Sequence, residues 1–149
     1  MRWMPSLEEQ VAAMSDAWPT LQVVEQDDRQ VVWRGTLRPL VRAYEVQVLL
    51  RAPLVIETIN AMKMQPEVRV TKPLLEPRDE DSEGPLPHVY WDHPEMPMLC
   101  LFDPAGDEWS PTDLIAETTV RWAVDWLACY EGWRATGKWA GGGRHASYR

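Results

Sequence analysis

An α+β fold follows from three features of this 149-residue sequence. An apolar stripe at helical spacing opens it, four β-rich segments follow one another, and a tryptophan-bearing helical stripe fills the last third. The chain is 45% apolar, enough for one domain that buries about two-thirds of its unfolded surface. It contains no internal repeat and no sign of a second domain, so residues 1–149 are expected to form one unit.

The first helix is punctuated at both ends. Ser6 is a suitable N-cap, Glu9 completes a capping box, and Pro19 stops the run. Leu7, Val11, Met14 and Trp18 recur at intervals of four, three and four, which places them on one face toward a core. Leu21 to Glu25 and Val31 to Leu37 flank the polar turn Gln26-Asp27-Asp28-Arg29 and read as a hairpin. Tyr44, Val46, Val48 and Leu50 alternate with Glu45 and Gln47, the pattern of a half-buried strand. Glu67 to Thr71, bounded by Pro66 and Pro73, reads as a fourth strand, and Leu54 to Gln65 has no clear pattern.

Leu75 to Pro87 is rich in proline and acid and reads as an exposed, flexible loop. Ser110, Pro111 and Asp113 then form a helix start signal. Ile115, Thr119, Trp122, Trp126, Tyr130 and Trp133 continue it as a stripe, either in one long helix or in two broken near Gly132. Gly137 can end the run. The remainder, about 137–149, carries three consecutive glycines and reads as a flexible tail.

Charge and composition exclude several functions. A net charge of −8 disfavours a general nucleic-acid binder, because phosphate is repelled over most of the surface. No apolar run is long enough for a membrane span, and the N-terminus lacks the pattern of a signal peptide. Two cysteines without an export signal point to reduced thiols and a cytoplasmic location. Nine tryptophans against one phenylalanine suit core corners or a partner-binding face, and the tryptophan-rich helix could pair with itself as a homodimer or with another protein.

The groups able to do covalent work are Cys100, Cys129, His88, His93 and His145. Cys129 lies among Trp126, Leu127 and Tyr130 and reads as a small core residue. Cys100 ends the apolar triplet Met98-Leu99-Cys100 between two irregular acidic segments, so its thiol is expected at a surface edge. Asp103, Asp107 and Glu108 stand close by in sequence and should disfavour the thiolate, giving an ordinary or raised pKa.

The segments "LPHVY", Cys100-Leu101 and Trp109-Ser110-Pro111 together resemble the catalytic region of ubiquitin-conjugating enzymes. "VVWRGTLRP", "YEVQVLLRAP" and "PEVRVTKPLLEP" are similar to that family's second, third and fourth strands. The resemblance spans about Ser6 to Trp133 and implies the UBC fold: a helix, a four-stranded meander, a catalytic loop and a long C-terminal helix. "PHVY", "LCLF", "WAVDWLACYEGW" and "TGKWAGGGRH" look still more like the bacterial members found in CBASS anti-phage operons. That likeness implies an acyl transferase carrying the C-terminus of a CD-NTase, a cyclic-GMP-AMP-synthase-like nucleotidyltransferase, as a thioester on Cys100. A bacterial ubiquitin-like protein is the other cargo it allows. No cofactor and no metal are implied.

The resemblance places His88 where the family has its oxyanion-binding asparagine, and the chain's sole asparagine, Asn60, is far upstream. An imidazole N–H can also donate to an oxyanion. His93-Pro94-Glu95 keeps a His-Pro pair but lies nearer Cys100 than the family's interval, so His93 is the competing assignment. Asp103 and Asp107 are candidates to hold the incoming amine, and His145 could fold back from the tail. Three rivals stand beside the transferase. A cysteine hydrolase is opposed by the acidic flanks, and zinc on His88, His93 and Cys100 lacks both a compact ligand spacing and a fourth ligand. A UBC-fold binding module without catalysis is the third.

Overall fold

The computed structural model describes residues 4–52, 64–78, 85–103 and 108–140. Chain order is α1 (Leu7–Ala17), β1 (Gln22–Gln26), β2 (Gln30–Leu37), β3 (Tyr44–Arg51), β4 (Glu67–Lys72), β5 (Val89–Tyr90), β6 (Met98–Leu99) and α2 (Thr119–Thr136). The first four strands form one antiparallel sheet in sequence order, the expected meander. The layout of helix, meander and closing helix is α+β, consistent with the UBC-like arrangement expected. Residues 54–63, the greater part of the unpatterned stretch, lie outside the described residues, as do Asp107 and His145.

Local chemistry explains the first elements. Ser6 Oγ accepts from Glu9 N at 3.1 Å, while Glu9 Oε1 accepts from Ser6 N at 3.0 Å, so the capping box closes in both directions. The stripe is graded: Met14 is fully buried, while Leu7, Val11 and Trp18 pack partly buried against the core. At the β1–β2 turn, Asp27 Oδ1 accepts from Arg29 N and Gln30 N at 2.7 and 2.9 Å, a side-chain substitute for backbone turn bonds. A bulge between Val23 and Glu25 shifts the register of β1, an edge strand exposed along its whole length.

The sheet's inner face follows the alternation read from sequence. Val31, Trp33 and Leu37 face Leu50, Val48 and Tyr44 across the β2–β3 ladder, and Val48 and Val46 face Val68 and Val70 across β3–β4. All are buried, in one cluster with Ile115, Trp126, Leu127 and Trp133 from the C-terminal third. Gly35 continues the inner row where β2 passes under Thr20; a Cβ there would overlap the Thr20 carbonyl. On the outer face Arg34 Nε donates to Gln47 Oε1 at 3.0 Å, and Arg69 lies opposite Gln47 on β4.

The start signal at Ser110 yields a turn rather than a helix. Asp113 Oδ2 accepts from Ser110 N and Ser110 Oγ accepts from Thr112 N, as in a cap, yet α2 begins only at Thr119. Buried Gln10 on α1 is the cause. Its Nε2 donates to Asp113 O at 2.9 Å and its Oε1 accepts from Ile115 N at 3.0 Å, occupying two backbone groups that a helix would have paired within itself. From Thr119, α2 runs unbroken through Gly132 and ends at Gly137, whose φ of 80° is the left-handed stop.

The ends of the acidic loop are anchored, with Leu75 and Leu86 in the core. Tyr130 Oη accepts from Glu76 N at 2.7 Å, and Arg134 donates to Pro77 O and Glu76 Oε2 at 3.0 and 2.9 Å. Residues 79–84, between those anchors, lie outside the described part.

Candidate active site

β5 and β6 form a small hairpin, with Val89 opposite Leu99 and Tyr90 opposite Met98. Cys100 follows β6 directly, and its N–H donates to His88 O at 2.9 Å, one step further along the same ladder. Two of the residues singled out from sequence are therefore joined through the backbone. Trp126 Nε1 on α2 also donates to His88 O, at 2.9 Å, so one carbonyl ties the hairpin to the helix beneath it. His88 has a φ of 58°, a left-handed conformation that costs energy for any residue but glycine and is held here by these two bonds. Its ring packs against Trp139 at a centroid distance of 5.0 Å. Trp139, in the segment read as flexible tail, also meets Trp126 and Trp133.

His93 occupies the seven-residue connection 91–97 and shapes it. Its Nδ1 accepts from Glu95 N at 3.1 Å and from Met96 N at 3.0 Å, which fixes the proton on the other ring nitrogen. Asp92 Oδ1 accepts from Met98 N, and Arg69 donates to both Asp92 oxygens and to Met96 O. These bonds to Arg69 hold the Asp92 carboxyl below its ordinary pKa despite partial burial. No side-chain bond joins His93 to Cys100.

Cys100 differs from expectation in one respect: its side chain is buried, with 1% of its surface exposed, and does not stand at an edge. The buried run is longer than the triplet read from sequence. Met98, Leu99, Leu101 and Phe102 are buried too, and the Phe102 ring packs on Trp109 and Trp122 at 6.0 and 5.9 Å. The thiol pKa is pushed up to about 11, in the expected direction, but burial is the largest cause. Asp103 and Glu108 add to it, while the Tyr90 hydroxyl and, less, the Phe102 backbone oppose it. Glu108 Oε1 accepts from Asp103 N at 2.9 Å, holding both carboxylates near the sulfur across the undescribed 104–107.

Several contributors were missed from sequence. Tyr90 Oη lies 3.5 Å from Cys100 Sγ, and a hairpin register for "HVY" and "MLC" would have paired these segments. Arg69, Trp126 and Trp139 read only as strand, core and tail. Cys129 on α2 is half-buried. Among the described residues, no group of three or more His, Cys, Asp and Glu could hold a metal, and no helix is long and apolar enough to cross a membrane. A separate pocket of about 210 Å³ lies at the start of α1, lined by Leu7, Gln10, Leu50, Met64, Trp109 and Pro111 among others; Cys100 does not line it.

Around the Cys100 sulfur the fold thus gathers a backbone-anchored histidine, a phenol and two acids. Among the described residues, no histidine bonds the thiol to form the ion pair a protease needs. The family model described as type II CBASS E2 protein matches residues 10–146. A search of curated proteins gives no match.

Proposed function

Because this chain belongs to the type II CBASS E2 proteins, an E2-like component of CBASS anti-phage defence, we propose that it transfers an acyl group through a thioester on Cys100. The cargo is the C-terminal carboxyl of the system's CD-NTase, and the acceptor is an amine. The observation that supports this reading is the seating of Cys100 directly across the hairpin from His88, the residue that the likeness to ubiquitin-conjugating enzymes aligns with their oxyanion-binding asparagine.

In the first step the Cys100 sulfur attacks the carbonyl of a donor thioester. The new C–Sγ bond forms, the donor's C–S bond breaks, and the Cys100 proton ends on the donor thiol. In the second step an amine attacks the Cys100 thioester through a tetrahedral oxyanion. The C–N bond forms, the C–Sγ bond breaks with its electron pair on sulfur, and the amine's proton returns to that sulfur. His88 supplies an N–H to the oxyanion, and Asp103 draws the amine in. A high thiol pKa fits this work, since such a sulfur needs an activated acyl group and leaves peptide bonds alone. With 1% of Cys100 exposed, each transfer requires the sulfur's cover to open.

That burial favours a second reading, a UBC-fold binding module in which Cys100 is core. One experiment separates them. The protein is mixed with its CD-NTase and a thioester-charged activating partner, then run on a non-reducing gel. A band removed by thiol reductant, absent in Cys100→Ala and kept in Cys129→Ala, supports the carrier; no such band with a demonstrably charged donor supports the module.

A further inference from the structure

The geometry points to Tyr90 as a catalytic residue, its phenolic hydroxyl donating to Cys100 Sγ as negative charge gathers on the sulfur. This inference rests on Cys100 as the acyl carrier and adds a side chain that acts on the reacting atom itself.

Three observations support it. First, Tyr90 Oη lies 3.5 Å from Sγ, hydrogen-bond distance for the larger sulfur atom, and it is the side chain bonded to Sγ among the described residues. The other polar contact, Phe102 O at 3.7 Å, can accept from the thiol but cannot donate to a thiolate. Second, the surroundings oppose that charge. Burial withdraws water from the sulfur, and Asp103 and Glu108 stand near enough to repel an anion. Against that repulsion the Phe102 backbone gives the smaller help, and among the described residues Tyr90 is the side chain that can turn an O–H toward Sγ. Third, the hydroxyl is held in place. Tyr90 pairs with Met98, two residues before Cys100, so the ladder that fixes Cys100 against His88 also fixes the phenol beside the sulfur.

In the resting protein the thiol S–H points to an oxygen acceptor, Tyr90 Oη or Phe102 O. When amine attack breaks the C–Sγ bond, the electron pair goes to Sγ and the phenol rotates to donate. The phenol keeps its own proton throughout; the sulfur is reprotonated by the departing ammonium proton. The same donation assists the forward attack on a donor thioester.

The test is the pH dependence of iodoacetamide alkylation at Cys100, in full-length protein carrying Cys129→Ser. Removing one hydrogen bond to a charged group predicts a rate about tenfold lower in Tyr90→Phe at pH 8.5. The deficit shrinks as pH rises toward the thiol's own titration, because both forms then become thiolate; a packing defect would leave a ratio independent of pH. If Tyr90→Phe fails to fold, 3-fluorotyrosine at position 90, a more acidic donor, is predicted to raise the rate instead. Equal rates with and without the hydroxyl, or a ratio unchanged by pH, overturn the proposal. Cys100 that is alkylated in neither form until urea is added overturns it together with the carrier reading. A pH-dependent Tyr90 effect without any thioester band would retain the sulfur–phenol pair and discard the carrier alone.

Discussion

Arg69 on β4 grips Asp92 in the β5–β6 connection with two parallel hydrogen bonds, Nη1 to Oδ1 at 2.9 Å and Nη2 to Oδ2 at 2.7 Å. The same Nη1 reaches Met96 O at 2.9 Å. Since Arg69 stands on the sheet's outer face and β6 lies beside β4, the connection wraps the sheet edge and is bolted down behind it. The hairpin bearing Cys100 is thereby fixed from its far end as well as through His88.

Replacing that fork with a single ammonium tests the bolt. Arg69 also donates to Glu67 Oε1 at 3.0 Å. The compact ammonium of Arg69→Lys cannot span all four of these acceptors, so it is predicted to lower stability by about 1–2 kcal/mol in urea unfolding. Asp92 has its pKa depressed in the fold, so its contribution is complete above the ordinary carboxylate range. It is lost as pH falls through the lowered value, and the gap between wild type and Arg69→Lys should close in acid. A gap that stays constant from neutral pH into acid would show that the ion pair contributes nothing.

Gln10 carries a second, independent joint. Gln10→Ala leaves the buried Ile115 N–H without its acceptor and Asp113 O without its donor. The predicted cost is about 2–3 kcal/mol, with faster hydrogen exchange at the Ile115 amide. An unchanged exchange rate there would assign the turn at 110–118 to its own Ser110 and Asp113 bonds.

These joints also mark where the sequence stops being legible. The capping box at Ser6 and Glu9, the alternation in β3 and the glycine stop at Gly137 are local signals, and the structure honours each of them. The helix start at Ser110 is an equally good local signal and fails, because Gln10, a hundred residues away, takes the backbone groups it needed. The same holds at the site. Cys100 and His88 are legible as residue types in a family pattern, but burial of the thiol depends on Leu101 and Phe102 continuing the apolar run into Trp109 and Trp122. Tyr90, Trp126 and Trp139 gain their places only through strand register and helix packing, which no short spacing encodes.

His88 combines a left-handed backbone with a candidate donor side chain, and two substitutions separate those properties. His88→Asn retains both, since asparagine tolerates positive φ and carries an amide N–H. His88→Ala retains neither. The prediction is that His88→Ala slows single-turnover discharge of the Cys100 thioester to an amine about a hundredfold, while His88→Asn stays within about tenfold of wild type. His88→Gly, which relaxes the backbone without a donor, should be as slow as His88→Ala. A glycine variant as fast as wild type would remove the imidazole from the chemistry.

The buried thiol also makes stability depend on alkaline pH. The Cys100 pKa rises from an ordinary 9.0 to about 11 in the fold, chiefly through burial. Between those values the unfolded chain has given up the proton while the folded chain still holds it, so unfolding is favoured as pH rises. Below pH 9 both states hold the proton and the thiol's contribution is complete; it is lost progressively up to about 11. Tyr44 and Tyr130 have pKa values raised by burial too, and they push in the same direction. Comparison with Cys100→Ala cancels those tyrosines and isolates the sulfur. Urea midpoints measured at pH 7.5 and 10.5 should fall further in wild type than in Cys100→Ala. Equal falls would mean that Cys100 titrates alike in the folded and unfolded chain, a sulfur already open to water in the native state.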